Sequence, residues 1–259
     1  SFPLRANMAM EKYKKIDPEL VILGDDNALK YLAPKLKNSK TPIVFLGINA
    51  DIEGLLDSGY ENMTGVLERP LFSKAITDIR KIVRPRPRKI LILFDSGETS
   101  TIAVNEVFEG DTTIKFGALT AEAKTIGNFD EWKNVVNNAK NEGYQAIMLG
   151  LYHTLTDAEG KHVNSEKVLS WTSASSDLPL FAFWDFAVGK GKAIGGLVLL
   201  GKEQGLMAAR LSSIVLRGVR PSSIKPVTSE GRFVYSQAEI ERWNFKVPGT
   251  IRMDAITLE

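Results

Sequence analysis

Pro179–Leu200 reads PLFAFWDFAVGKGKAIGGLVLL, and how this run divides decides the fold. Leu180–Trp184 is an apolar run of strand length, Gly189-Lys190-Gly191-Lys192 supplies turn glycines, and Ala193–Leu200 is a second apolar run. Short, continuously apolar strands bounded by turns belong to sheets covered on both faces by helices. Trp184 and Asp185 close the first strand where the chain turns back. A ring and a carboxylate at a strand's carboxyl end suit a ligand cleft between two α/β lobes, holding a small molecule rather than a catalytic centre.

The same alternation extends outward in both directions. Upstream, Lys89–Phe94 (KILILF) is the strongest strand signal and runs into the polar turn Asp95–Ser100, rich in helix N-cap residues. Thr112–Leu119 reads as a strand, Phe129–Asn141 as a helix, Ala146–Leu151 as a buried strand ending at Tyr152-His153, and Asn164–Ser173 as a helix. Nearer the start come a helix over Arg5–Lys15, a strand at Leu20–Leu23 buried on both faces, and a helix over Ala28–Leu36. Strands at Ile43–Leu46 and, ending in charges, Gly65–Pro70 follow, separated by a short helix or loop at Asp51–Gly59, and then an amphipathic helix over Leu71–Val83. Downstream, Glu203–Arg217 is a helix with Leu206, Ala209, Leu211, Ile214 and Val215 facing inward, Val227–Tyr235 a last strand, and Gln237–Trp243 a short helix. Strand, polar turn and helix in repeated succession specify an α/β fold built from βαβ units. Pro85 and Pro87 interrupt the pattern within Arg84–Lys89 (RPRPRK), a stiff, solvated crossing segment. The expected organisation is lobe 1 from residues 1–86 and 193–220, and lobe 2 from 87–192 and 221–259, with the second crossing at Ala193–Leu200.

Composition narrows the function. The chain has 259 residues, 44% of them hydrophobic and 25% charged, enough for one large or two smaller α/β bodies. With 33 basic and 31 acidic residues the formal net charge is +2, so no basic field points to nucleic acid or an anionic membrane. No cysteine is present, which excludes disulfides, thiolate metal sites and cysteine nucleophiles. No apolar run reaches membrane-span length, and Ser1–Arg5 shows no signal-peptide pattern, as expected of a cytoplasmic protein or of an exported one shown without its leader.

Polar clusters recur at the carboxyl ends of the predicted strands: Asp25–Asn27, Asn49, Glu68–Arg69, Asp95–Thr99, Tyr152–His153 and Trp184–Asp185. The expected ligand-binding set drawn from them is Asp25, Asp26, Asn27, Asn49, Glu68, Arg69, Ser96, Thr99, Tyr152, Trp184 and Asp185. The carboxylates suit a ligand amine or hydroxyls, Arg69 suits a carboxylate through its bidentate fork, and Tyr152 and Trp184 suit an apolar body. Catalysis is weakly signalled. Asp95-Ser96-Gly97-Glu98 lacks the glycine that a G-x-S-x-G elbow places two residues before the serine, and the chain has only two histidines, so a Ser96/His153 hydrolase is a minor alternative. Adjacent aspartates in a βα turn cap helices more often than they hold metal, and Gly189–Lys192 and Gly195-Gly196 fit no phosphate-loop pattern and read as reversals. No cofactor, metal or catalytic residue is expected.

Leu20–Leu32 (LVILGDDNALKYL), Pro42–Ala50 (PIVFLGINA), Thr64–Arg69 (TGVLER), Ile194–Ala208 (IGGLVLLGKEQGLMA) and Arg232–Trp243, in this order, resemble the ABC-transporter substrate-binding family of the type I periplasmic-binding-protein fold. The resemblance implies a clamshell of two Rossmann-like three-layer lobes joined by three hinge crossings. It implies a monomer outside the cytoplasm, in some cases lipid-anchored or membrane-tethered, that closes on a small molecule, amino-acid-like or a similar polar solute, and passes it to a membrane permease; the family's ligands vary, so the resemblance names none. Related domains are the sensors of membrane histidine kinases, which is the alternative role. Members usually open with a strand and helix ahead of the element matching Arg5–Lys15, so a chain lacking that first strand is expected.

Overall fold

The computed structural model describes residues 2–52, 59–252 and 255–258, so most of the segment read as Asp51–Gly59 lies outside the described residues. The chain divides into two compact units: Ser1–Arg69 with Gly201–Ser229, and Pro70–Leu200 with Glu230–Glu259.

The first unit is a parallel sheet between helices. Its strands β1 (Val21–Gly24), β2 (Ile43–Ile48), β3 (Met63–Leu67) and the two-residue β10 (Val227–Thr228) lie in the order β1-β2-β3-β10 and pair in parallel throughout. Alternation along β2 assigns Ile43 and Phe45 to one layer and Val44 to the other, and an irregularity between Phe45 and Ile48 returns Ile48 to the first. Ile43, Phe45 and Ile48 pack with Leu29, Ala33 and Leu36 of α2 (Asp26–Leu36). Val44 packs with Val66 and with Ala208, Leu211 and Val215 of α7 (Gly201–Leu216) on the other face. Helix α1 (Phe2–Ile16) rests on α2 and buries only Ala6.

Two readings of this unit are corrected. Strand β1 is an edge, and Ile22, on the same face as Val44, is exposed because α7 lies over β2 and β3 on that face. In α7 the buried stripe is Gln204, Ala208, Leu211, Ser212 and Val215, while Leu206, Ala209 and Ile214 are exposed. This face turns Gln204 inward, where its Oε1 accepts from Gly47 N at 3.0 Å.

The second unit is doubly wound. Its main sheet has the order β5 (Thr113–Phe116), β6 (Leu119–Ile126), β4 (Lys89–Asp95), β7 (Ile147–Leu149), β8 (Leu180–Ala182), parallel except for the β5 edge. Along β4, Ile90, Ile92 and Phe94 pack with α3 (Phe72–Ile82) and α4 (Glu98–Phe108). Leu91 and Leu93 face α5 (Phe129–Asn138) and α6 (Ser165–Ser175), where the fully buried Trp132 donates from Nε1 to Thr172 Oγ1 at 2.9 Å. The run read as one strand at Thr112–Leu119 is β5 and the turn into β6, an antiparallel pair. A second, three-stranded sheet has the order β12 (Ile256–Leu258), β11 (Arg232–Ser236), β9 (Gly195–Val198). Helices α8 (Gln237–Arg242) and α9 (Gly249–Arg252) complete the chain.

The quoted run Pro179–Leu200 stays within this unit, giving β8, a 3-10 turn at Asp185–Ala187, and β9. Gly195 is not a reversal: at φ 123°, a Cβ there would lie 1.9 Å from Val234 O, so glycine permits the close approach of β9 and β11. The turn belongs to Gly189–Lys192, where Gly191 N donates to the buried Glu239 Oε1 at 2.8 Å.

The three passages between units fall at 69/70, 200/201 and 229/230, whereas the sequence reading placed them at 86/87, 192/193 and 220/221. Phe72 explains the first difference. Its ring lies 4.4 Å from Phe183 and 6.1 Å from both Phe94 and Phe108, so α3 belongs to the second core. The arginine-proline run is accordingly internal to that unit. Val227–Tyr235 is split by the third passage into β10 and β11, which serve different sheets.

Candidate functional site

In the first unit the carboxyl ends of β1, β2 and β3 carry a connected polar cluster. Asp25 sits at φ 78° and caps α2, its Oδ1 accepting from Asn27 N at 3.3 Å. Asp26 is buried and does something different. Its Oδ1 accepts from Asn49 N and Ala50 N, both at 2.9 Å, fixing the loop after β2. Burial raises the Asp26 pKa, and the two backbone donors only partly oppose this. Asn49 is also buried, and its Nδ2 donates to Glu68 Oε2 at 3.1 Å. The other Glu68 oxygen accepts from Gln204 Nε2.

Arg69, expected to offer its fork to a ligand carboxylate, directs its guanidinium to the backbone around Asn49. Its Nη1 donates to the carbonyls of Ile48, Asn49 and Glu68 at 2.8, 2.7 and 3.1 Å, and its Nη2 to Ala50 O at 2.9 Å. Arg69 and Asp26 thus clamp one loop from opposite polarities, the guanidinium on its carbonyls and the carboxylate on its N–H groups. The clamp leaves Asp26 Oδ2 and Asn49 Oδ1 buried without a hydrogen-bond partner. Gln204 was not legible as a site residue, since it reaches Gly47 and Glu68 from a helix far along the chain.

In the second unit the carboxyl ends of β4, β7 and β8 carry a smaller polar group and an aromatic one. Buried Asp95 organises the turn after β4: one oxygen accepts from Gly97 N at 3.1 Å and from Ser100 Oγ, the other from Thr154 N at 2.9 Å. These donors draw the loops after β4 and β7 together and leave Ser96 exposed against Gly127 and Thr99 half-buried in the first turn of α4.

Tyr152 is buried with its ring stacked on His153 at 4.7 Å. Phe186 stands edge-on to His153 at 5.1 Å and to Tyr152 at 6.1 Å, and is stacked with Trp184 at 6.2 Å. Trp184 is buried, whereas Phe186 is 40% exposed and presents the cluster's accessible ring face. Asp185 is half-buried in the turn, its N–H donating to Leu199 O at 3.2 Å. Burial raises the Tyr152 pKa, keeping the phenol neutral. The His153 imidazole remains open to solvent at its edge, but the flanking rings desolvate its charged form and lower its pKa. The sequence reading missed Phe186 as a member of this group, and placed His153 at the strand end beside Tyr152 without counting it among the ligand-binding residues. An aromatic two residues after Trp184 was the available signal.

Asp25 and Asp26 diverge, one to a helix cap and one to a loop. Among the described residues no group of three or more histidines, cysteines or carboxylates is placed to hold a metal ion, and no helix is long and apolar enough to cross a membrane.

The sequence profile of the family described as ABC transporter substrate binding protein matches residues 5–255. Three solved structures share the fold. The ABC domain of a Streptococcus pneumonia protein in complex with L-Trp is 19% identical at TM-score 0.71, over 99% of this chain and 84% of that one. A conserved domain protein from Vibrio cholerae is 16% identical at TM-score 0.69, with the same coverage of both chains. The ligand-free, open form of a substrate-binding protein with adhesive properties from Clostridium difficile is 13% identical at TM-score 0.65, over 100% of this chain and 84% of that one. Among proteins of curated function, none matches the chain.

Proposed function

The chain belongs to the ABC transporter substrate-binding protein family, and we propose that it captures an amino-acid-like solute with an apolar or aromatic body outside the cytoplasm, for delivery to a membrane permease. The family binds solutes rather than transforming them and is typically extracytoplasmic. The observation that carries the solute class is what stands at the carboxyl end of each unit's parallel sheet. The first unit offers two buried acceptors without a protein partner, Asp26 Oδ2 and Asn49 Oδ1, beside the carboxylates of Asp25 and Glu68, which suit an ammonium group. The second unit offers the ring cluster of Tyr152, Trp184 and Phe186 with the hydroxyls of Ser96 and Thr99 and the Asp185 carboxylate, which suit an apolar body with a polar end. Asn27 joins the first group, and Arg69 serves it by holding the Asn49 loop rather than by touching solute. The Streptococcus relative bound to L-Trp supports the same class of ligand.

A thermal-shift screen against amino acids, nucleosides and sugars tests the proposal. Ligand bound to the native state alone raises the melting temperature as its concentration rises. Apolar and aromatic amino acids are expected to shift it and sugars to leave it unchanged. A melting temperature indifferent to every class would overturn the reading.

A further inference from the structure

The second unit holds a groove that the strand-end cluster does not use. It has a volume of about 390 Å³, within the size range of small-molecule pockets. It lies where the first turns of α5 and α6 meet the loop 156–163. Phe129 and Trp171 form its apolar wall, edge to face at 5.8 Å, with Val163 beside them.

The charged groups at its rim are not evenly matched. Asp130 is taken by Lys133, and one Asp157 oxygen accepts from the N–H groups of Glu159 and Lys161 at 3.2 and 2.8 Å. Lys161 and Lys167 line the same groove, are exposed, and have no ion-pair partner among the described residues. His162 completes the rim. Its Nε2–H donates to the His153 carbonyl at 2.7 Å, so its remaining ring nitrogen is not committed to that bond.

An aromatic wall under two unpaired ammonium groups selects a planar apolar body carrying a negative charge. We propose that this groove is an accessory binding site for a small aromatic carboxylate, separate from the solute site and joined to it by residues 152–163. The joining is physical. Tyr152 and His153 belong to the ring cluster, Thr156 pairs with Asn128 and His162, and His162 returns to the His153 carbonyl. Inorganic anions lack the body that the Phe129–Trp171 wall would cover, and aromatic amines meet a net positive rim, three lysines against the carboxylates of Asp130 and Asp157.

The test is amide-resolved NMR titration of the whole chain with phenylacetate, and in parallel with benzylamine and with inorganic phosphate. Phenylacetate is expected to give saturable shifts in residues 157–171, benzylamine none, and phosphate far weaker ones. Lys161→Gln with Lys167→Gln is expected to weaken phenylacetate about tenfold, and the corresponding double arginine variant to restore most of it. Phe186→Ala, which alters the solute site, should leave these shifts unchanged. Shifts confined to the surroundings of Tyr152 and Phe186, equal response to phosphate, or indifference to the double glutamine variant would each overturn the proposal. None of those results bears on whether amino acids shift the melting temperature, so the two readings fail separately.

Discussion

Asp26 stands where one side chain does two opposed things. Its carboxylate fixes the Asn49–Ala50 loop through two backbone donors, yet its burial disfavours the charge that makes those bonds strong. The sign of the resulting pH dependence follows directly. Below the unfolded value of 3.8 the carboxyl is protonated in both states. Above 3.8 the unfolded chain ionises first, the folded chain holds the extra proton, and stability falls as pH rises through the raised folded pKa. Asp26→Asn keeps Oδ1 as acceptor and removes the ionisation. Urea midpoints measured across the acid range should therefore show the wild type losing stability, relative to the variant, as pH rises above 3.8. Parallel curves would refute this account of Asp26. At Phe186 the expectation is different, because the ring is 40% exposed and joins the cluster from outside. Phe186→Ala should lower stability by only about 1 kcal/mol while weakening an aromatic solute about tenfold by calorimetry. A large loss of stability with unchanged affinity would make the ring structural. The strand-end placement of Asp25, Asn49 and Glu68 was legible because it is a local property of the sequence. Gln204 and the commitment of Arg69 to backbone carbonyls were not, because each depends on a loop that only the folded sheet brings near.

At the scale of elements, the apolar runs marked most strands correctly because buried parallel strands have little other use for such sequences. Orientation was harder to read. In α7 the apolar residues Leu206 and Ile214 pull a sequence reading toward the wrong face, while the true inner stripe includes Gln204 and Ser212. A buried glutamine is tolerated there because Gly47 and Glu68 satisfy both ends of its amide. The two faces predict opposite sensitivities. Leu211→Ala, which opens space beside Val44 and Val66, should cost about 2–4 kcal/mol in denaturant unfolding. Leu206→Ala should change it by no more than about 0.5 kcal/mol. Equal effects would mean that the helix is rotated from the register described. Strand β9 shows a related limit. Its glycines read as a turn because no local signal announces that β11, some forty residues later, needs to pass within touching distance of the backbone.

For the whole molecule, three passages of chain between two units mean that neither unit is a continuous stretch of sequence. The first unit is completed by α7 and β10, the second by β11, α8, α9 and β12. Proline spacing suggested a crossing near residue 86, but packing decided it: a proline-rich segment marks where regular structure stops, not which core its neighbours join. Phe72, fourteen residues earlier, already belongs to the second core through its rings against Phe94 and Phe183. A truncation after Ser229 separates the two units' dependence on the tail. The first unit keeps its full sheet order through β10, while β9 loses its antiparallel partner β11 and the second core loses Tyr235 and the packing of Ile251. Hydrogen exchange on the truncated protein should therefore show amide protection retained along β2 and β3 and lost along β9. Protection along β4 should fall as well, since Ile90, Ile92 and Phe94 share their cluster with Tyr235. If β2 and β3 lost protection to the same degree as β4, the two units would be one cooperative body, and the assignment of the tail to the second unit alone would be wrong.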